Sequence, residues 1–311
     1  MKQKFAAIKK KIEAPVQELH SSLLQEKRVR LFVKREDLIH PEISGNKWRK
    51  LKYNILEAAS KKTDTLLTFG GAYSNHILAV AAAGKAFGFK TIGVIRGEEH
   101  LPLNPTLHCA KEILGMQIIY MDRTAYRLKN TPAVTEKLEN YFGQFYLIPE
   151  GGTNDLAVKG CTEILNDIKI SYDHVCCSCG TGGTLAGLIC GLHGEKSVLG
   201  FAVLNGDFLI SEVEKHIVSY SEEVFSNWKI NTDFHFGGYA KFNPELLDFI
   251  NAFKQNHGIQ LDPIYTGKMM FGIFDLIKKD YFKSGSTVLA IHTGGLQGII
   301  GFNERFGGVI Y

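Results

Sequence analysis

The sequence predicts an α/β fold of two domains, each an open, mainly parallel sheet with helices on both faces. Short apolar runs alternate with amphipathic or alanine-rich ones along most of the chain, the pattern of strand–helix–strand units. Four of the glycine-bearing turns, Gly70-Gly71, Gly151-Gly152, Gly180–Gly183 and Gly294-Gly295, follow or lie near apolar runs. Turns so placed fall at the carboxyl ends of parallel strands, where open α/β sheets bind their ligands. With 311 residues, 45% of them hydrophobic and 22% charged, the chain is long enough for two domains of ordinary size.

Taken in order, residues 1–40 hold a short amphipathic helix, a loop and a strand at 29–34 that ends in Arg35-Glu36-Asp37. The run Lys9, Lys10 and Lys11 reads as a solvated helix face. Gly45 supplies a turn, Asn46 is a good helix N-cap, and residues 48–59 form an amphipathic helix. Residues 65–69 are a buried strand running into a turn and an alanine-rich helix that ends at Phe87. Strands follow at 91–95, 117–120 and 145–148, with helices around 105–114 and near 132–142 between them. A long helix comes after Gly151-Gly152-Thr153. In the second half, strands at 174–178 and 198–203 flank a glycine loop at 180–184 and a helix at 185–192. A polar stretch at 211–227 precedes 234–238, a helix follows Pro244, and the last strand, 286–291, runs into His292-Thr293-Gly294-Gly295.

Bulk properties exclude several functions. The net charge of +4 is spread along the chain, which argues against nucleic acid as a partner. The longest apolar run, residues 77–83, is too short to span a membrane, and the first residues lack the features of a secretory signal. Six cysteines, unevenly clustered, do not form a disulfide framework, so a reducing compartment and the cytoplasm are expected.

Four stretches carry residue types suited to chemistry. Lys47 falls at the start of a helix, where a cation is electrostatically disfavoured, and Arg49, Lys50 and Lys52 follow it. Positive surroundings help an amine lose its proton and act as a nucleophile. A solvated basic helix face accounts for these residues at least as well. Gly180, Thr181, Gly182, Gly183 and Thr184 follow a strand and open a helix, the geometry of a phosphate cradle. The loop has neither the lysine of a nucleotide P-loop nor the dinucleotide spacing, and a plain tight turn remains the alternative. Ser74, Asn75 and His76 sit at another strand-to-helix turn, where Ser and Asn serve equally as caps or as ligands. Cys176, Cys177 and Cys179 lie in a strand whose side chains alternate, so no metal site is expected there.

Gly-Asn-Lys-x-x-Lys around Lys47, Ser-Asn-His at 74–76 and Gly-Thr-Gly-Gly-Thr at 180–184 occur in one chain in that order. This set strongly resembles the pyridoxal-phosphate enzymes of the tryptophan-synthase-β fold (fold type II). Within them it is most similar to the branch of 1-aminocyclopropane-1-carboxylate (ACC) deaminase and D-cysteine desulfhydrase. The resemblance implies a large cofactor-binding domain, 1–49 with 156–311, and a small domain, 50–155, inserted in it. It implies a homodimer, and Lys47 as the residue that holds pyridoxal 5'-phosphate through its amine. Lys50 and residues 180–184 would hold the phosphate. Asn75 would bond the phenolic oxygen of the cofactor, Ser74 would face the substrate carboxylate and assist proton transfer, and His76 would lie on the substrate side. Tyr239 and Tyr265 would line the substrate face.

The resembling deaminases carry Glu at the position of Thr266 and Leu at that of Thr293. A carboxylate beside the ring nitrogen strengthens the cofactor as an electron sink, whereas a hydroxyl only hydrogen-bonds it. The two threonines therefore favour β-elimination from D-cysteine, giving pyruvate, ammonia and sulfide, over opening of the cyclopropane of ACC. Deamination of ACC or of another small D-amino acid is the alternative within the family. A catalytically silent cofactor-binding protein is the alternative outside enzymes.

Overall fold

The structure, a computed structural model, describes residues 14–40 and 42–311. The run Lys9 to Lys11 lies outside them. The chain divides into two compact units. One is made of the described residues up to Lys50 together with Asn154–Tyr311, and the other of Leu51–Thr153.

The strands are β1 (Val16–Leu19), β2 (Arg30–Lys34), β3 (Thr65–Gly70), β4 (Lys90–Arg96), β5 (Gln117–Met121), β6 (Tyr146–Ile148), β7 (His174–Cys179), β8 (Ser197–Ala202), β9 (Trp228–Asn231) and β10 (Thr287–Ile291). The α-helices before residue 150 are α1 (Ser22–Lys27), α2 (Asn46–Ser60), α3 (Asn75–Phe87), α4 (Pro105–His108), α5 (Arg123–Arg127) and α6 (Pro132–Phe142). Those after it are α7 (Asp155–Thr162), α8 (Gly183–Gly191), α9 (Phe208–Ser221), α10 (Pro244–His257), α11 (Thr266–Lys278) and α12 (Gly298–Phe306).

The larger unit is a six-stranded sheet of order β1-β2-β10-β7-β8-β9. Only the β1–β2 pair is antiparallel. Period-two alternation sorts its side chains onto two buried faces. Leu31, Val33, Cys176, Val288 and Ala290 pack with Ile250, Met269 and Ile273 from α10 and α11. Phe32, Val175, Cys177, Leu289 and Ile291 pack with Val158, Leu185, Ile189 and Val213 from α7, α8 and α9. Alternation thus divides the Cys176–Cys179 stretch between two apolar cores, and burial pushes the thiols of Cys176, Cys177 and Cys179 up. The smaller unit is an all-parallel sheet of order β5-β4-β3-β6. Leu67, Phe69, Ile92 and Val94 pack there against Tyr126 of α5 and Leu138 of α6.

Four elements differ from the sequence expectation. Helix α2 begins at Asn46, so Asn46 is its first helical residue rather than its N-cap; its backbone N–H donates to the Thr293 carbonyl at 3.1 Å. Helix α8 starts at Gly183, so the last two residues of the stretch expected as a loop are helical. The polar stretch at 211–227 lies largely in α9, because Leu209, Val213 and Ile217 recur every four residues and are buried. The helix after Thr153 is short, eight residues ending in a 3-10 turn. Among the described residues no helix is long and apolar enough to cross a membrane.

Helices α7 and α8 approach their neighbours through glycine. A Cβ on Gly160 would stand 1.9 Å from the Arg49 carbonyl oxygen, and one on Gly187 would stand 2.3 Å from Cys161 Cβ. Gly160→Ala is therefore expected to cost about 3 kcal/mol of stability, because backbone, not a flexible side chain, must move. Gly258→Ala, at φ +66 but in open space, should cost only about 1 kcal/mol. Denaturant titration of the two variants checks the contrast.

Candidate active site

Lys47 is the second residue of α2, reached through Gly45 at φ +66. No side chain fits at position 45, since a Cβ there would lie 1.9 Å from the Thr293 carbonyl oxygen. The lysine amine is brought down from 10.5 to about 7, first by burial and then by the charge of Lys50. Some of its surface remains accessible. Of the expected basic cluster, Arg49 is neutralised: its guanidinium forks onto the buried Glu36 carboxylate with two bonds of 2.9 Å. Lys50 is the cation that acts on Lys47. It is buried, and its Nζ donates to Thr181 Oγ1 at 3.3 Å.

The stretch Gly180–Thr184 comes to the same place. Gly182 holds φ +82 at the N-cap of α8, and no side chain caps that helix. The first N–H groups of α8 are left for an anion, with Lys50 beside them. Asn46 Nδ2 donates to Thr184 Oγ1 at 2.8 Å, tying the start of α2 to the start of α8. A Cβ on Gly182 would stand 2.9 Å from Val213 Cγ2 and 3.4 Å from the ring of His216. His216, on α9, was not expected from sequence. It accompanies the cradle with its pKa lowered, by burial and then by Lys50, while a bond to the Thr181 backbone works the other way.

Beyond Lys47, the carboxyl ends of β7 and β10 bring Ser178 and Thr293 together, their hydroxyls 3.2 Å apart and both residues buried. Tyr265 lies against the cradle, its Cε1 3.1 Å from where a Cβ on Gly180 would be. Tyr239 meets Tyr265 edge-on, with ring centroids 6.2 Å apart. Thr266 departs from the expectation that it meets a cofactor ring nitrogen. It is fully buried, its Oγ1 donates to Asp262 Oδ1 at 2.7 Å, and it accepts from the Asp262 N–H at 2.9 Å. Asp262 also accepts from the N–H groups of Ile264, Tyr265 and Thr266, so it caps the start of α11 and holds Tyr265 in place. The dipeptide Asp262-Pro263 just before this helix was the available signal.

In the smaller unit, Ser74 is the N-cap of α3, its Oγ accepting from the N–H groups of His76 and Ile77. Asn75 is the first helical residue and is partly accessible. His76, expected on the substrate side, turns its ring inward: it is 2% exposed, and Nε2 lies 2.8 Å from Thr68 Oγ1. Thr68 gives its one proton to the Ile148 carbonyl, so His76 Nε2 is the donor. Its ring ties α3 to Thr68 of β3, whose hydroxyl in turn bonds β6.

A poised lysine, an uncapped glycine cradle and a buried hydroxyl pair at the carboxyl ends of parallel strands define an enzyme that holds an anionic aldehyde cofactor. The chain belongs to the family of pyridoxal-phosphate-dependent enzymes, whose pattern it matches over residues 12–294. It is 34% identical over 94% of its length to a provisionally named 1-aminocyclopropane-1-carboxylate deaminase of Pyrococcus abyssi, covering 92% of that protein. It is 32% identical to the mitochondrial bifunctional D-cysteine desulfhydrase/1-aminocyclopropane-1-carboxylate deaminase of Arabidopsis thaliana, covering 86% of this chain and 73% of that one. A crystal structure of an ACC deaminase homologue superposes with a TM-score of 0.83 at 30% identity, covering 100% of both chains.

The residues present fit the cofactor: Lys47 to hold its carbonyl carbon, and Lys50 with Gly180–Thr184 to take its phosphate. An amine must be unprotonated to attack a carbonyl. Covalent capture of pyridoxal phosphate by the cofactor-free protein should therefore rise with pH around a midpoint near 7 and level off above it. Removing the neighbouring charge in Lys50→Met should move that midpoint upward and weaken retention of the cofactor. Absorbance-monitored capture across a pH series measures both.

Proposed function

We propose that the protein is a D-cysteine desulfhydrase, which eliminates the β-thiol of D-cysteine as sulfide, leaving an enamine that water hydrolyses to pyruvate and ammonia. The observation that carries this reading is the paired hydroxyl of Thr293, 3.2 Å from Ser178 Oγ, at the end of β10. Here the resembling deaminases have Leu. Where they have Glu, this chain has Thr266, closed off by Asp262. When bound, the cofactor supplies an electron sink for the charge left at the substrate Cα. An uncharged hydroxyl tunes that sink weakly. This suffices when a thiolate can leave, and it suits ring opening less well.

Within this reading, Lys47 moves the Cα proton and Thr293 orients the ring nitrogen, with Ser178 fixing the direction of its hydroxyl. Tyr265 and Tyr239 line the substrate face, and Ser74 and Asn75 serve the substrate carboxylate and the phenolic oxygen. The reading includes a homodimer, tested by light scattering.

The deciding experiment is sulfide release from D-cysteine by cofactor-loaded protein. It should be rapid in the wild type, absent in Lys47→Ala, and lowered roughly 100- to 1,000-fold in kcat by Thr293→Leu, the scale of one lost donor at a developing charge. No sulfide, with a spectral change on adding ACC, would replace this reading with the deaminase one, which the names of the relatives favour.

A further inference from the structure

Lys268, the third residue of α11, is fully buried and answers to no carboxylate in an ion pair among the described residues. Its Nζ donates instead to two backbone carbonyls, those of His235 and Gly238, both at 2.7 Å. Each carbonyl already closes a turn: Gly238 N–H donates to His235 O at 3.0 Å, and Lys241 N–H donates to Gly238 O at 3.1 Å. One ammonium therefore joins two successive turns, and Tyr239 opens the second.

The backbone it holds is strained. Phe236 and Ala240 sit at φ 54 and 55, and Gly237 and Gly238 between them at 92 and 114. Side chains with a Cβ adopt such values at a cost, and they persist where the surroundings over-determine them. Phe236 is further fixed by an edge-on contact with Phe271 at 5.1 Å. The end product of this arrangement is the placement of a half-exposed tyrosine against Tyr265. Burying an ammonium is costly, and burial here lowers the Lys268 pKa to about 8 even with Asp262 opposing the shift.

We propose that Lys268 is a positioning residue: by bonding both carbonyls it holds Tyr239 against Tyr265 and so sets the affinity for the amino-acid substrate. This rests on the reading of Tyr239 as lining the substrate face. Lys268 touches neither the anion cradle nor Lys47 through any hydrogen bond or ion pair, so cofactor binding should be spared.

The test is a double-variant cycle on the cofactor-loaded enzyme. Lys268→Met should raise KM for D-cysteine on the order of 10-fold, with kcat within about 3-fold and pyridoxal-phosphate affinity, read by absorbance, within about 2-fold. In the Tyr239→Ala background the same substitution should leave KM unchanged. Amide exchange at 236–240 should quicken in Lys268→Met while that at 185–190 does not. Unchanged exchange in the loop, an equal loss of cofactor affinity, or a KM effect that persists without the Tyr239 ring would each overturn the proposal. If wild-type protein releases no sulfide, the D-cysteine reading fails by itself; the exchange measurement still decides the latch, and the cycle is then read on ACC.

Discussion

The larger unit is organised by one close approach, that of Gly45 to the carbonyl of Thr293. At φ +66, with its missing Cβ 1.9 Å from that oxygen, Gly45 lets the chain enter α2 directly above the carboxyl end of β10. The Asn46 N–H then donates to the same carbonyl at 3.1 Å, and the Asn46 side chain reaches Thr184 at 2.8 Å. A helix N-terminus, a strand end and a second helix N-terminus are thereby locked by two residues, Gly45 and Asn46, and Lys47 is the next side chain along. The strand end is itself held: His292 N–H bonds the Lys34 carbonyl at 2.9 Å, and its Nε2 reaches the Gln260 carbonyl at 2.7 Å. Every candidate cofactor contact in this unit follows from that junction, because the helix start cannot slide without driving backbone into backbone.

Much of this was legible in the sequence. Residue types that report backbone geometry were the most informative: Gly45 and Gly182 do sit at positive φ, and the strand–helix alternation did give parallel sheets. Side-chain direction was the least legible. His76 and Thr266 stand beside residues at the ends of strands and helices, where a ligand role is plausible by position, yet both turn into the protein and are consumed by Thr68 and Asp262. Position along the chain says where a Cα lies, whereas a neighbour distant in sequence decides where the side chain points. His216 was missed for a related reason. Its helix was read as part of a polar stretch, although Leu209, Val213 and Ile217 recur every four residues and form its buried stripe. Ser178 was hidden among cysteines weighed as metal ligands and read as small core residues.

The treatment of buried lysines argues for how roles are divided. Lys34, fully buried, is paired with Asp167 at 2.7 Å, a closed ion pair. Lys268 is solvated by two carbonyls and acts on the backbone. Lys50 meets a hydroxyl at the mouth of an uncapped helix, so its charge is aimed where an anion would complete the site. Lys47 makes no ion pair among the described residues, and burial with a neighbouring cation holds its amine near neutrality. A protein that only needed these lysines for packing could have matched each with a carboxylate, as it does Lys34. Leaving one amine uncompensated beside a cradle for anions sacrifices folding stability at a single point, and it creates a group there that can be both a nucleophile and a proton carrier near pH 7.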